Sequence, residues 1–188
     1  MISFINIQKI ILLILIIYII NINCSNDNND DNDHNNTIIK ENYYVVIDAG
    51  STGSRGFVFK IDLYNNNTKI ITSYSCGKVR YGLSTFINKP YDAIEYLYPL
   101  LVNASNIIPI QYHKFSSLYI KGTAGMRLLS SNDQQIVWDK LIYDLIHHPI
   151  INFHILAQNF GTIDGHLEAF YAVIASNYIV GSIDSHLK

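Results

Sequence analysis

Charge is scarce in this chain. Only 15% of its 188 residues are Asp, Glu, Lys or Arg, and the net charge is −2. Soluble domains typically carry roughly 25%. Binding a phosphate backbone needs clustered Lys and Arg, so nucleic acid is excluded as a partner. Cysteine is scarcer still, with Cys24 and Cys76 the pair. Cys24 sits beside a removable segment, which leaves Cys76 as a free thiol or as half of a bond to a partner elsewhere. What the chain has in excess is apolar residues, 49% of the total, enough for one domain with a proper core and too few residues for two large ones.

Part of that excess lies at the N-terminus. After Lys9, the stretch from Ile10 to Ile20 runs without a polar break. As a helix it spans roughly 17 Å, against about 30 Å of bilayer hydrocarbon. That suits the apolar region of a secretory signal, with Cys24 and Ser25 as small residues near the cleavage site. Counted from Ile2 to Ile22 with Lys9 snorkelling, it is a marginal membrane anchor. Residues 1–24 are therefore expected to be a signal peptide or signal-anchor, sending the rest into the secretory pathway. Residues 25–40 read as a disordered Asn/Asp-rich tether, because Ser25 to Asn36 has nothing apolar to bury. Its carboxylates do not form a calcium loop: counted from Asp27, the sixth place is Asn32 and the twelfth Ile38, where Gly and Glu are needed. Asn35, Asn66 and Asn103 each begin a glycosylation acceptor triplet, which permits lumenal exposure.

From residue 41 onward the pattern is that of an α/β domain. Tyr43 to Ile47 is a buried strand that ends in Asp48-Ala49-Gly50. Gly56 to Leu63 alternates as a second strand, Asn65-Asn66-Asn67 forms a loop, and Lys69 to Cys76 returns as a third. Apolar residues at threes and fours predict a helix over Tyr91 to Ile107. Ser117 to Lys121 is a strand, Asp133 to Ile146 a helix, Ile151 to Leu156 a strand, and His166 to Val180 a helix. The order β-β-β-α-β-α-β-α resembles one lobe of the actin-like, ribonuclease-H-like ATPase fold, with a mixed sheet.

The turn between the first two strands carries the chemistry. Asp48-Ala49-Gly50-Ser51-Thr52-Gly53-Ser54-Arg55 combines two glycines, three hydroxyls, an arginine and an acid. Glycines let the backbone turn tightly and aim N–H groups at phosphate oxygens. Ser51, Thr52 and Ser54 add hydroxyl donors, Arg55 adds a charge-assisted fork, and Asp48 is suited to orient a hydrated divalent metal. The loop is not a Walker motif, because the lysine and its spacing are missing, nor a dinucleotide fingerprint, because a strand follows. His147-His148 precedes Pro149 at a helix end and makes a poor zinc site, lacking nearby cysteines or a carboxylate pair.

The segment VVIDAGSTGSRGFVFK resembles the first signature of the nucleoside triphosphate diphosphohydrolases, the family of ecto-apyrases and Golgi guanosine diphosphatases. Gly82-Leu83-Ser84 is similar to the family's GLS stretch. Lys121 to Leu129 resembles its ATAGMRLL signature, with Gly122 in place of the first Ala. Asp164 to Tyr178 resembles DGKEEGVYAWITANY. The resemblance implies metal-dependent water attack on the terminal phosphate of a nucleoside di- or triphosphate, with Ca²⁺ or Mg²⁺ as cofactor. It assigns Ser51, Thr52, Gly53 and Ser54 to a phosphate cradle and Arg55 to charge stabilisation. Asp48 would hold the metal through water. Thr123, Ala124 and Gly125 would line the site beside the attacking water, with Arg127 bracing that loop or reaching phosphate. Glu168 falls on the general base.

The chain departs from the family at Leu167, Ala169 and Val173, which stand where it has glutamate, glycine and tryptophan. Ala169 adds a Cβ beside the base, and Val173 leaves either a cavity or a repacked neighbour. No second phosphate loop of the DLGG type follows Glu168. Residues 41–188 are thus expected to be the N-terminal lobe of a nucleoside phosphatase, a truncated form lacking the C-terminal lobe and inactive alone. The alternative is a non-catalytic lumenal module that binds a nucleotide or a partner.

Overall fold

The computed structural model describes residues 37–64 and 69–179. The expected signal segment, most of the tether, the Asn65-Asn66-Asn67 loop and the acceptors at Asn35 and Asn66 lie outside the described residues. Among those described, no helix is long and apolar enough to cross a membrane.

The larger of two compact units ends at Thr162. It holds a five-stranded sheet in the order β3-β2-β1-β4-β5. The strands are β1 (Ile38–Gly50), β2 (Gly53–Tyr64), β3 (Lys69–Arg80), β4 (Ser117–Gly122) and β5 (Phe160–Thr162). The first three pair antiparallel, while β1–β4 and β4–β5 are parallel. This mixed sheet is that of an actin-like ATPase lobe. β1 begins at Ile38, inside the stretch expected to be tether, and Ile38–Lys40 pair with the far end of β2.

Three helices belong to this unit: α1 (Asp92–Ile107), the single turn α2 (Ala124–Arg127) and α3 (Ser131–Ile146). Leu97, Leu100 and Leu101 of α1 and Val137, Trp138 and Leu141 of α3 pack with Val45, Ile47, Leu118 and Ile120. Strand alternation sends Val46, Phe57, Phe59 and Tyr119 to the opposite face, where they are also buried. α1 tolerates Pro99 because that residue lies on the exposed side, where water can serve the carbonyl it leaves unpaired. α3 starts two residues earlier than the apolar pattern predicts, since Ser130 Oγ accepts the Asp133 backbone N–H at 3.2 Å.

One expected strand is absent. Ile151 to Leu156 meets β4 at a single bridge, Ser117 with His154, and the fifth strand is Phe160–Thr162. Ile151 and Phe153 are buried while Asn152 and His154 are exposed. The period-two pattern therefore records burial without a ladder. Cys76 is free and buried, and burial pushes its thiol up to about 12. His148 Nδ1 accepts the N–H groups of Ile150 and Ile151, so this ring caps the segment that follows the helix.

The second unit contributes α4 (Gly165–Ile179) to the described residues. Asp164 caps it, its Oδ1 accepting the backbone N–H groups of His166 and Leu167 at 2.7 and 3.0 Å.

Candidate active site

The glycine turn is a two-residue hairpin. Gly50 and Gly53 face each other as its closing pair, leaving Ser51 and Thr52 exposed at the tip. Gly53 has φ +154°, and a Cβ there would meet the Val79 carbonyl oxygen at 2.3 Å. No side chain fits that position.

Two other loops close on the tip. A Cβ on Gly82 would fall 2.6 Å from the Ser51 carbonyl oxygen. One on Gly125 would fall 2.8 Å from Ser51 Cα and 3.2 Å from Ser84 Oγ. The Thr123 backbone N–H donates to the Ala49 carbonyl at 3.1 Å, tying the second loop to the end of β1. Thr123 precedes α2 without using its hydroxyl as a cap. Gly125 is buried, Ala124 exposed and Arg127 half-buried. Ser51, Thr52, Gly53, Thr123, Ala124 and Gly125 thus belong to one cluster, joined by Gly82 and Ser84.

Asp48 and Arg55 sit opposite each other on β1 and β2, below the tip. Their ion pair is loose, Nη1 to Oδ2 at 3.8 Å, with Arg55 more exposed than Asp48. On the other side of Asp48, Lys121 is its register partner on β4. The Lys121 ammonium donates to the Gln158 carbonyl at 3.2 Å, and burial lowers its pKa. Among the described residues no three His, Cys, Asp or Glu side chains gather into a metal cage. A single, mostly buried carboxylate at a strand end does fit a hydrated hard cation, which keeps most of its waters and takes its remaining ligands from substrate oxygens.

Ser54 departs from the expected cradle. Its side chain is fully buried and accepts from the Tyr96 hydroxyl of α1 at 3.2 Å, a phenol proton shared with the Tyr81 carbonyl. The next position along a strand faces the other way, so Ser54 holds the hairpin from behind while Arg55 faces Asp48. Ser54 pairs with Ala49, two residues beyond Ile47 and on the same face of β1.

Glu168 belongs to the other compact unit, in the first turn of α4, with its own N–H donated to the Asp164 carbonyl at 3.0 Å. Val173 is 59% exposed.

Residues 34–187 match the model of the GDA1/CD39 (nucleoside phosphatase) family. The chain is 34% identical over 154 residues to ectonucleoside triphosphate diphosphohydrolase 7 of Homo sapiens, covering 76% of this chain and 25% of that protein. It is 33% identical over 153 residues to nucleoside-diphosphatase mig-23 of Caenorhabditis elegans, covering 77% and 27%. It therefore spans about a quarter of the length of these curated relatives. Among solved structures, the nucleoside triphosphate hydrolase structure from Neospora caninum has a TM-score of 0.51 at 16% identity, over 77% of this chain and 32% of that one. With both hairpin and second loop inside the matched region, the chain belongs to the GDA1/CD39 nucleoside phosphatase family.

Proposed function

We propose that the chain carries the phosphate-binding part of a nucleoside tri- and diphosphatase of the secretory pathway. The observation behind this reading is the convergence of the glycine hairpin and the Thr123–Gly125 loop on Ser51. Two glycine-bearing loops, with backbone N–H groups and hydroxyls at an exposed tip, suit a tetrahedral anion and little else. The names of the relatives, a triphosphate diphosphohydrolase and a nucleoside-diphosphatase, supply the substrate class.

Ser51, Thr52 and Gly53 cradle the terminal phosphate, and Ser54 fixes the hairpin that presents them. Arg55 balances charge on the transferred group. Thr123, Ala124 and Gly125 line the side from which water approaches, and Arg127 steadies their loop. Asp48 holds a Ca²⁺ or Mg²⁺ through water, and that cation, when bound, neutralises charge on the phosphate oxygens. Glu168 takes a proton from the attacking water as its oxygen bonds to phosphorus in line. The P–O bond to the nucleotide breaks, releasing phosphate and the shortened nucleotide. A non-catalytic nucleotide-binding module is the second reading, favoured by Leu167 and Ala169 flanking the base.

Phosphate release from GDP, UDP and ATP with Mg²⁺ or Ca²⁺, for the protein carrying this chain, tests the proposal. Glu168→Gln is expected to lower turnover by about 10²–10⁴-fold while nucleotide binding persists. Binding with no release from the unmodified protein selects the second reading, and near-normal turnover by the variant removes Glu168 as the base.

A further inference from the structure

The third strand contains an irregularity beside the hairpin. Phe57 pairs with Ser75 and Gly56 with Gly77, so Cys76 is an extra residue in β3. Such a bulge re-aims every side chain beyond it. Without it, Lys78 would oppose Ser54, on the face that turns toward α1. With it, Lys78 opposes Arg55 and shares the face of Asp48.

The bulge is held in place. Asn103 Nδ2 of α1 donates to the Cys76 carbonyl at 2.9 Å, and Ser75 Oγ accepts the Gly77 N–H at 3.2 Å. Gly77 supplies φ +96°, which side-chain-bearing residues rarely adopt.

Lys78 then reaches forward along the sheet. Its Cε lies 3.1 Å from where a Cβ on Gly53 would be, so it occupies space that glycine leaves open at the hairpin's closing pair. Arg80, opposite Gly53, follows on the same face. Both are exposed, and among the described residues neither forms an ion pair. Asp48 is the one acid in a row that otherwise holds Arg55, Lys78 and Arg80, in a chain whose net charge is −2. Lys121 flanks Asp48 on the other side, but its ammonium is engaged with the Gln158 carbonyl.

We propose that Lys78 is a further substrate-binding residue, delivered by the Cys76 bulge to the phosphate chain of a nucleoside di- or triphosphate bound at the hairpin. This rests on the nucleotide-phosphate reading above and adds a residue that no signature motif contains. Its chemistry is that of a mobile point charge, suited to phosphates that carry more than one negative charge. A monophosphate in the cradle offers Lys78 less charge than a di- or triphosphate, and gains less from it.

Equilibrium binding of AMP, ADP and ATP to the full chain with Mg²⁺, for the unmodified protein, Lys78→Met and Lys78→Arg, tests this. Lys78→Met is expected to weaken ADP and ATP about tenfold, the effect of losing one charge-assisted contact, and to weaken AMP less. Lys78→Arg is expected to recover most of the loss, and melting temperatures to stay equal because the side chain is exposed. Equal affinities for ADP and ATP in the unmodified and Met proteins overturn the role of Lys78. So does an equal loss for all three nucleotides. Failure of the unmodified protein to bind any of them overturns the underlying nucleotide reading instead.

Discussion

Ser51 and Gly125 lie so close that a Cβ on the glycine would fall 2.8 Å from Ser51 Cα. Two segments more than seventy residues apart in sequence are thus joined backbone to backbone at the exposed tip. Gly125→Ala is expected to force them apart, with an overpacking cost of about 1–3 kcal/mol. Thermal melting reads that cost and nucleotide binding reads the separation. An alanine variant with normal binding and normal melting would mean that the loops do not act together.

In the proposed site, Asp48 would offer one carboxylate to a hydrated cation beside the incoming phosphate. Asp48→Asn keeps the shape and removes the charge. With Mg²⁺ present, nucleotide affinity is expected to fall roughly tenfold, and the difference between Mg²⁺ and chelator to vanish. In chelator, the variant is expected to bind at least as well as the unmodified protein, because repulsion of phosphate is relieved and Arg55 loses its partner at 3.8 Å. Retained metal dependence in the variant would assign the cation to another group.

The first three strands were legible because glycines, Asn-rich turns and period-two alternation coincide there. The helices were legible because Leu97, Leu101, Val137 and Leu141 recur at helical spacing. β5 was not, since Ile151 and Phe153 satisfy the same alternation by burial alone, and only β4's partner choice separates the two cases. The Cys76 bulge was hidden for a different reason. It depends on Asn103 reaching across from α1, a contact 27 residues away with no local signature. The phosphate hairpin was visible as composition, but its division into a front and a back appears only when Ser54 is seen to meet Tyr96.

That division has its own consequence. Ser54→Ala removes a buried hydroxyl that accepts from Tyr96, with an expected cost of about 1 kcal/mol in denaturant unfolding. Nucleotide affinity is expected to change little. A large loss of affinity at unchanged stability would return the Ser54 hydroxyl to the phosphate.

At the opposite end of β1, Lys60 bridges two carboxylates, reaching Glu41 at 2.7 Å and Asp62 at 2.9 Å. Glu41 and Asp62 face each other across the β1–β2 ladder, and Tyr112 donates to Glu41 at 2.8 Å. The hydrogen bond from Lys60, followed by that from Tyr112, holds the Glu41 carboxyl below its ordinary value of 4.5. A lowered folded-state value means that its stabilisation is present above pH 4.5 and is lost as pH falls through the folded value. Lys60 itself is raised by the same carboxylates, so its share persists below its ordinary value and fades only in strong base. Lys60→Met leaves the two acids face to face, and at pH 7 this is expected to cost on the order of 2 kcal/mol. The gap between variant and unmodified protein should narrow as pH drops below 4.5, because protonation of Glu41 removes the repulsion in one and its ion pair with Lys60 in the other. Melting curves taken from pH 7 to pH 3 read this directly. A gap that stays constant across that range would mean that Lys60 acts through packing of its stem and not through charge.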